Sequence, residues 1–94
     1  MNNEKKIAKL QAAVDGEIDF EYIAKKYLEA GWEWAREGAY SVPTETQLRN
    51  QTMKFIRECV ERNYKMCGSG GITVIMKKKK CVVSFGFDCQ EIKC

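Results

Sequence analysis

Because this 94-residue sequence contains no histidine, its cysteines are the first candidates for metal binding or redox chemistry. They are Cys59, Cys67, Cys81, Cys89 and Cys94. No pair has the two-residue separation that is typical of zinc knuckles and thioredoxin-type redox sites. We therefore expect no metal and no cofactor. The odd number of cysteines, with no apolar signal-peptide core near the N-terminus, predicts reduced thiols in a cytoplasm.

Catalytic patterns are equally scarce in the rest of the sequence. Without histidine, neither a Ser-His-Asp triad nor a Cys-His pair can form. The acidic run at Asp15, Glu17, Asp19 and Glu21 lacks the ligand offsets and the closing glutamate of a calcium loop, and it is typical of a junction between two helices. The glycine-rich stretch at 67–71 leads into a strand and lacks the lysine of a phosphate-binding loop. The sequence therefore predicts a protein that is not an enzyme.

Four consecutive lysines form the strongest basic feature: Lys77, Lys78, Lys79 and Lys80. Residues 1–47 have a net charge of −3 and residues 48–94 a net charge of +6, so positive charge is concentrated in the second half. Such a cluster can contact the phosphates of a nucleic acid. It can equally be a solvated hairpin tip that discourages aggregation of the sheet edge. Both readings remain open from the sequence.

Apolar residues at helical spacing predict three helices, over residues 4–14, 20–37 and 45–63. Gly16 is expected to stop the first helix, and Asp19 to cap the start of the second. Leu28 lies on the apolar stripe predicted for the second helix. Thr44 opens the third helix, and Gln47, three residues later, completes a capping box.

The last quarter of the sequence changes to the two-residue period of β-strands, over residues 72–76 and 81–87, joined by a four-lysine loop. Residues 67–71 are interpreted as a flexible break. The pairing places Met76 opposite Cys81 and Val74 opposite Val83. One face of this hairpin is apolar, and its other face carries the directly opposed pair Ile75 and Val82.

The predicted fold is a single α+β domain over residues 1–94, with three helices followed by a C-terminal antiparallel β-hairpin. A lone hairpin is marginal in water, so we expect the third helix to pack across its apolar face. Residues 89–94 can supply a third strand, or the hairpin edge can pair with another chain. No apolar run approaches the roughly 18 residues of a membrane span, so no membrane partner is expected.

Several apolar and aromatic residues are of the kind that protein interfaces use as anchors. Trp32 falls off the apolar stripe of the second helix, and Tyr40 lies near a bend. Together with Ile75 and Val82, they are the predicted partner-binding residues of a non-enzymatic protein-binding module. We also expect self-association as a homodimer, through the hairpin edge or around Trp32. The alternative function is nucleic-acid binding by Lys77–Lys80.

The layout of residues 42–87 resembles that of small accessory proteins of bacteriophages and mobile elements. It consists of a capped helix beginning Val42-Pro43-Thr44-Glu45, a break at Gly70-Gly71, and a terminal hairpin. Some of those proteins are anti-CRISPR or other anti-defence inhibitors. The resemblance implies occlusion of a host protein or ribonucleoprotein, such as a CRISPR nuclease, in the cytoplasm of a bacterial host cell. It transfers no functional residue, and the positive charge departs from inhibitors that mimic DNA.

Overall fold

The structure is a computed structural model that describes the backbone of residues 3–36, 43–86 and 88–93, and the side chains of these ranges except 31–36. In these ranges three helices precede an antiparallel sheet of four strands, which confirms the predicted α+β class. The elements are α1 (Asn3–Glu17), α2 (Phe20–Arg36), α3 (Glu45–Arg62), β1 (Met66–Ser69), β2 (Ile72–Met76), β3 (Lys80–Ser84) and β4 (Cys89–Lys93). The order of the strands in the sheet is their order in the chain.

Helix α1 continues past the stop that was predicted at Gly16 and ends at Glu17. The reason is the buried side chain of Ile18, which continues the apolar stripe one turn beyond Val14. The backbone N–H of Ile18 donates to the Val14 carbonyl at 3.3 Å, which extends the helical bonding. Glycine costs up to about 1 kcal/mol relative to alanine inside a helix, and burial of the Ile18 side chain offsets the cost of Gly16 in the last turn.

The predicted starts of α2 and α3 are confirmed. The Asp19 carboxylate accepts a hydrogen bond from the Tyr22 N–H at 3.0 Å, so Asp19 caps α2. The Thr44 hydroxyl accepts from the Gln47 N–H at 3.2 Å, and the Thr44 N–H donates to the Gln47 side chain at 2.9 Å. This reciprocal pair satisfies two of the backbone donors that a helix N-terminus leaves free.

The central hairpin has the predicted register. Ile75 lies opposite Val82, and Met76 lies opposite Cys81. The predicted third strand is also present as β4, which pairs antiparallel with β3. The register decides which face of the sheet each residue occupies. The pairing of the four strands therefore determines which side chains point into the core.

Residues 67–71, predicted as a flexible break, instead contain most of strand β1 and the turn that follows it. Met66–Ser69 pairs with Ile72–Ile75, and Gly70 and Gly71 link the two strands. These glycines have φ values of 62° and 89°. Two consecutive positive φ angles are what a tight two-residue hairpin requires, and glycine adopts them without steric cost.

Strand β3 spans Lys80–Ser84 rather than the predicted 81–87. At its start, the Lys77 N–H donates to the Lys80 carbonyl at 2.9 Å, so Lys80 belongs to the strand and not to the loop. At its end, the Phe85 N–H donates to the Asp88 carbonyl at 2.8 Å. This bond closes a turn that leads into β4, and Phe87, the last residue of the predicted strand, lies outside the described residues.

All three helices contribute to a core on one face of the sheet. Helix α3 packs across β1 and β2, α1 packs against β4, and α2 packs against α3. Phe55 and Ile56 share one buried cluster with Val74, Val83 and Phe85, so the third helix packs across the apolar face of the hairpin as predicted. The opposite face of the sheet is left without a helix in the described part of the chain.

Candidate interaction surface

The uncovered face of the sheet is built by the outward residues of the four strands. Ile72, Val74, Cys81, Val83 and Ile92 are buried under the helices, so their strand neighbours point the other way. The outward residues within the strands are Met66, Gly68, Thr73, Ile75, Lys80, Val82, Ser84, Cys89, Glu91 and Lys93. None of these ten is aromatic.

Three aliphatic side chains cross the middle of this face in one line, which we call the apolar row: Met66, Ile75 and Val82. Met66 lies opposite Ile75 and Ile75 lies opposite Val82, while Glu91 follows on β4. Met66 is 61% exposed, and the other two are half-buried. Directly opposed side chains on one sheet face lie about 5 Å apart, so these three form a continuous apolar surface.

A basic hollow of about 610 Å³ adjoins the sheet at the β2–β3 tip, and we call it the lysine groove. Its walls combine the hairpin tip with the end of β4 and the last residue of α1. The lining residues are Glu17, Lys77, Lys78, Lys79, Lys80, Glu91, Ile92 and Lys93. Five ammonium groups and two carboxylates give this hollow a net charge of about +3, and like charges in a concave site raise the local concentration of anions.

The lysines of the groove differ in whether a carboxylate neutralises their charge. The Lys80 ammonium lies 3.2 Å from the Glu91 carboxylate, and both side chains are about half exposed. Such a solvated pair contributes about 1 kcal/mol or less to stability. Within the described residues no ion pair joins Lys77, Lys78, Lys79 or Lys93 to a carboxylate, so these four charges face solvent.

The acidic run forms the junction between α1 and α2, as the sequence indicates. Asp15 accepts from the Gln11 side chain at 3.1 Å and lies 3.4 Å from Arg49 of α3, while Asp19 caps α2. Glu17 lies in the lysine groove. Across the ranges described, no group of three or more cysteine and carboxylate side chains is arranged to hold a metal ion.

Two cysteines lie on the other side of the sheet, between α3 and β1. The Cys67 thiol donates to the Glu58 carboxylate at 2.8 Å. This hydrogen bond is the main reason that the pKa of Cys67 is raised to about 11. Burial raises the pKa of the Cys59 thiol as well. Because the thiolate is the nucleophilic form, neither site favours thiol chemistry at neutral pH.

The predicted partner-binding residues separate into two groups. Ile75 and Val82 lie together in the apolar row. The side chain of Trp32 and the whole of Tyr40 lie outside the described residues. The sequence did not identify Met66 as their neighbour, since the strand that carries it was not predicted. The sequence feature that could have indicated this strand is the two-residue alternation that places Met66 and Gly68 on one face, directly before the turn at Gly70 and Gly71.

All four lysines predicted for the nucleic-acid alternative line the lysine groove. Lys93 joins them through the pairing of β4 with β3, and Glu17 joins them through the packing of α1 on β4. No local sequence pattern predicts that these two residues lie in the groove, because they are distant in sequence from the lysine run.

Comparison with protein-family models, with curated proteins and with solved structures found no match. Among the described helices, none combines the length and the apolar character that a bilayer crossing requires.

Proposed function

We propose that this protein is a non-enzymatic binding module that acts by covering a surface of a larger protein. The apolar row on the helix-free face of the sheet is the observation that carries this proposal. Met66, Ile75 and Val82 are held by backbone pairing and not by a flexible loop. Apolar side chains that are grouped on a rigid and partly exposed surface are typical of sites where proteins bind other proteins.

The class of target is proposed from the resemblance to small accessory proteins of phages and mobile elements. On that basis the partner is a host defence protein or ribonucleoprotein, such as a CRISPR nuclease, in the cytoplasm of a bacterial cell. Inhibition then follows from occupancy alone, because the bound module keeps the substrate away from the target or prevents a conformational change of the target. No catalytic group of this chain takes part.

The test is affinity capture from nuclease-treated bacterial lysate with the tagged full chain. The variants Ile75→Glu and Val82→Glu place a charge in the apolar row. Leu28→Glu is the matched control, because Leu28 is an exposed aliphatic residue on α2, at 63% exposure. Circular dichroism establishes that each variant is folded. We expect one defined complex that Leu28→Glu retains and both row variants lose; equal recovery with all four proteins contradicts the proposal.

Nucleic-acid binding is the second candidate, and the lysine groove favours it. Phosphate contacts release counterions, so the affinity for duplex DNA should fall with salt at a slope of about −0.9 per contact in logarithmic units. Replacing Lys77–Lys80 by alanine should then abolish binding. Capture of bulk nucleic acid before nuclease treatment, and of nothing after it, would favour this candidate over the first.

A second copy of the chain is the remaining proposed partner. The apolar row is small, and a two-fold dimer would bury it against itself. Light scattering at micromolar concentration decides between a homodimer and a monomer. If a dimer forms and Val82→Glu dissociates it, the row is a self-association surface; a strict monomer leaves it available for a different protein.

A further inference from the structure

The lysine groove meets the apolar row on the uncovered face of the sheet, where Lys80, Glu91 and Lys93 line the groove. Lys80 lies opposite Lys93 on the uncovered face, and Val82 lies opposite Glu91 on the same face. Residues two apart along a strand are separated by about 7 Å. A bound segment that places one side chain on Val82 therefore brings its next side chain on the same face within reach of Lys80 and Lys93.

From this juxtaposition we infer that the partner presents an apolar side chain and a carboxylate about 7 Å apart. This inference rests on the proposed protein-binding function and names the chemistry of the partner. In an extended segment the spacing corresponds to residues i and i+2, because alternate side chains of a strand point the same way. The apolar group covers Ile75 and Val82, and the carboxylate meets the ammonium groups of the groove.

The surface fits discrete carboxylates better than a phosphate backbone. The outward residues of the strands include no aromatic side chain, so bases find no stacking platform there. Glu17 and Glu91 lie among the lysines and interrupt any continuous phosphate track. A nucleic acid would also leave Met66, Ile75 and Val82 exposed to water, whereas an apolar and acidic segment covers them.

The charges of the groove are available for such a contact. Lys80 is held by Glu91 at 3.2 Å, which leaves Lys77, Lys78, Lys79 and Lys93 facing solvent in the described structure. Lysine is a flexible point charge that pairs with a carboxylate without strict geometry. Charge pairs at the rim of an interface act mainly on association rate and specificity, so the groove selects among apolar partners.

The inference is tested by selecting binders from a random twelve-residue peptide library against the full chain. We expect enriched peptides to carry Asp or Glu two residues from an aliphatic or aromatic residue. Fluorescence anisotropy then measures the affinity of the most enriched peptide. Replacing Lys78, Lys79 and Lys93 by glutamine should weaken binding by about fivefold or more and reduce its salt dependence.

A matched control replaces Lys6, Lys9 and Lys25 by glutamine, because these exposed lysines lie on α1 and α2 and their loss changes the net charge equally. This control should stay within twofold of the wild type. Enriched peptides that lack acidic residues, and that bind equally to both triple variants, overturn the inference. If Val82→Glu still abolishes their binding, the proposed function stands without it.

Two other outcomes also overturn the inference. One is the absence of any enriched peptide. The other is selective binding of a labelled 20-nucleotide single strand that the glutamine variant of Lys78, Lys79 and Lys93 loses. In that second case the proposed protein-binding function fails as well, and the lysine groove is a phosphate site.

Discussion

The thiol of Cys67 donates to the carboxylate of Glu58 across 2.8 Å, which joins strand β1 to the last turns of α3. The bond stabilises the protonated thiol beside a negative charge, and the pKa of Cys67 rises from 9.0 to about 11. The sequence does not distinguish Cys67 from the other four cysteines, but the structure does, because its thiol donates to the carboxylate of Glu58.

The first prediction concerns the reactivity of Cys67. At pH 8.5 a thiol with a pKa of about 11 has roughly 50- to 100-fold less thiolate than one at the ordinary 9.0. Glu58→Gln removes the charge, whereas burial and Cys59 continue to raise the pKa, so alkylation of Cys67 by iodoacetamide should accelerate by about fivefold or more in this variant. Mass spectrometry of quenched samples measures the rate, with exposed Cys89 as the internal reference. Equal rates in wild type and variant would show that Glu58 does not control this thiol.

The same raised pKa gives stability a pH dependence of known sign. The folded state binds the thiol proton more tightly than the unfolded state does. This contribution is therefore complete below pH 9 and is lost as the pH rises through about 11. Urea unfolding at pH 8 and pH 10.5 should show a smaller loss of stability for Glu58→Gln than for the wild type. A larger loss in the variant would contradict the assignment.

The second prediction tests the register of the central hairpin. Val83 is fully buried, so Val83→Asp places an unpaired carboxylate in the core and should cost several kcal/mol. That is a large part of the 5–15 kcal/mol by which domains are usually stable. Val82→Asp, on the uncovered face, is the matched control and should cost far less. Thermal unfolding measures both, and an unchanged midpoint for Val83→Asp would mean that the register is wrong.

The third prediction contrasts two glycines. Gly16 lies inside α1 with no atom near its missing Cβ, so Gly16→Ala should stabilise by about 0.5–1 kcal/mol. Gly71 has a φ of 89°, which alanine disfavours, so Gly71→Ala should destabilise by about 1–2 kcal/mol. Chemical denaturation gives both values. Opposite signs support the described turn, and two stabilising substitutions would refute it.

The fourth prediction concerns the capping box of α3. Thr44→Ala removes the acceptor for the Gln47 N–H and should destabilise by about 1 kcal/mol. Thr46→Ala, one position inside the exposed first turn, is the control and should be neutral or slightly stabilising, because alanine is the better helix former. Urea unfolding distinguishes the two. A loss at position 46 equal to that at 44 would show that the cap adds nothing.

The parts of the fold that could be predicted are those whose cause is local. The capping residues Asp19 and Thr44 announce the helix starts, and strand alternation fixes the pairing of Ile75 with Val82. Strand β1 was missed because it has four residues, of which one is glycine and one is serine. Leu28 fits the helical stripe of α2 and is nevertheless 63% exposed, since burial depends on where the neighbouring helices dock.

The residues of the candidate site also divide into those that a local pattern predicts and those that long-range packing places. The lysine run and the opposed pair on the outer face are visible in the sequence. Met66 depends on the existence of β1, and Lys93 reaches the groove through the pairing of β4 with β3. Glu17 arrives there only because α1 docks on β4. Long-range packing of this kind leaves no periodic trace, so no pattern in the chain could have indicated it.

The docking of α1 on β4 also determines when this protein can fold during synthesis. Helix α1 leaves the ribosome first, whereas the strand that covers it begins at Cys89. At roughly 5–20 residues per second, several seconds separate the two. Throughout that interval Leu10 and Val14, which are buried in the finished structure, lack part of their cover. Completion of the core therefore waits until β4 has emerged, and the nascent helical segment is the stage at which chaperones would act.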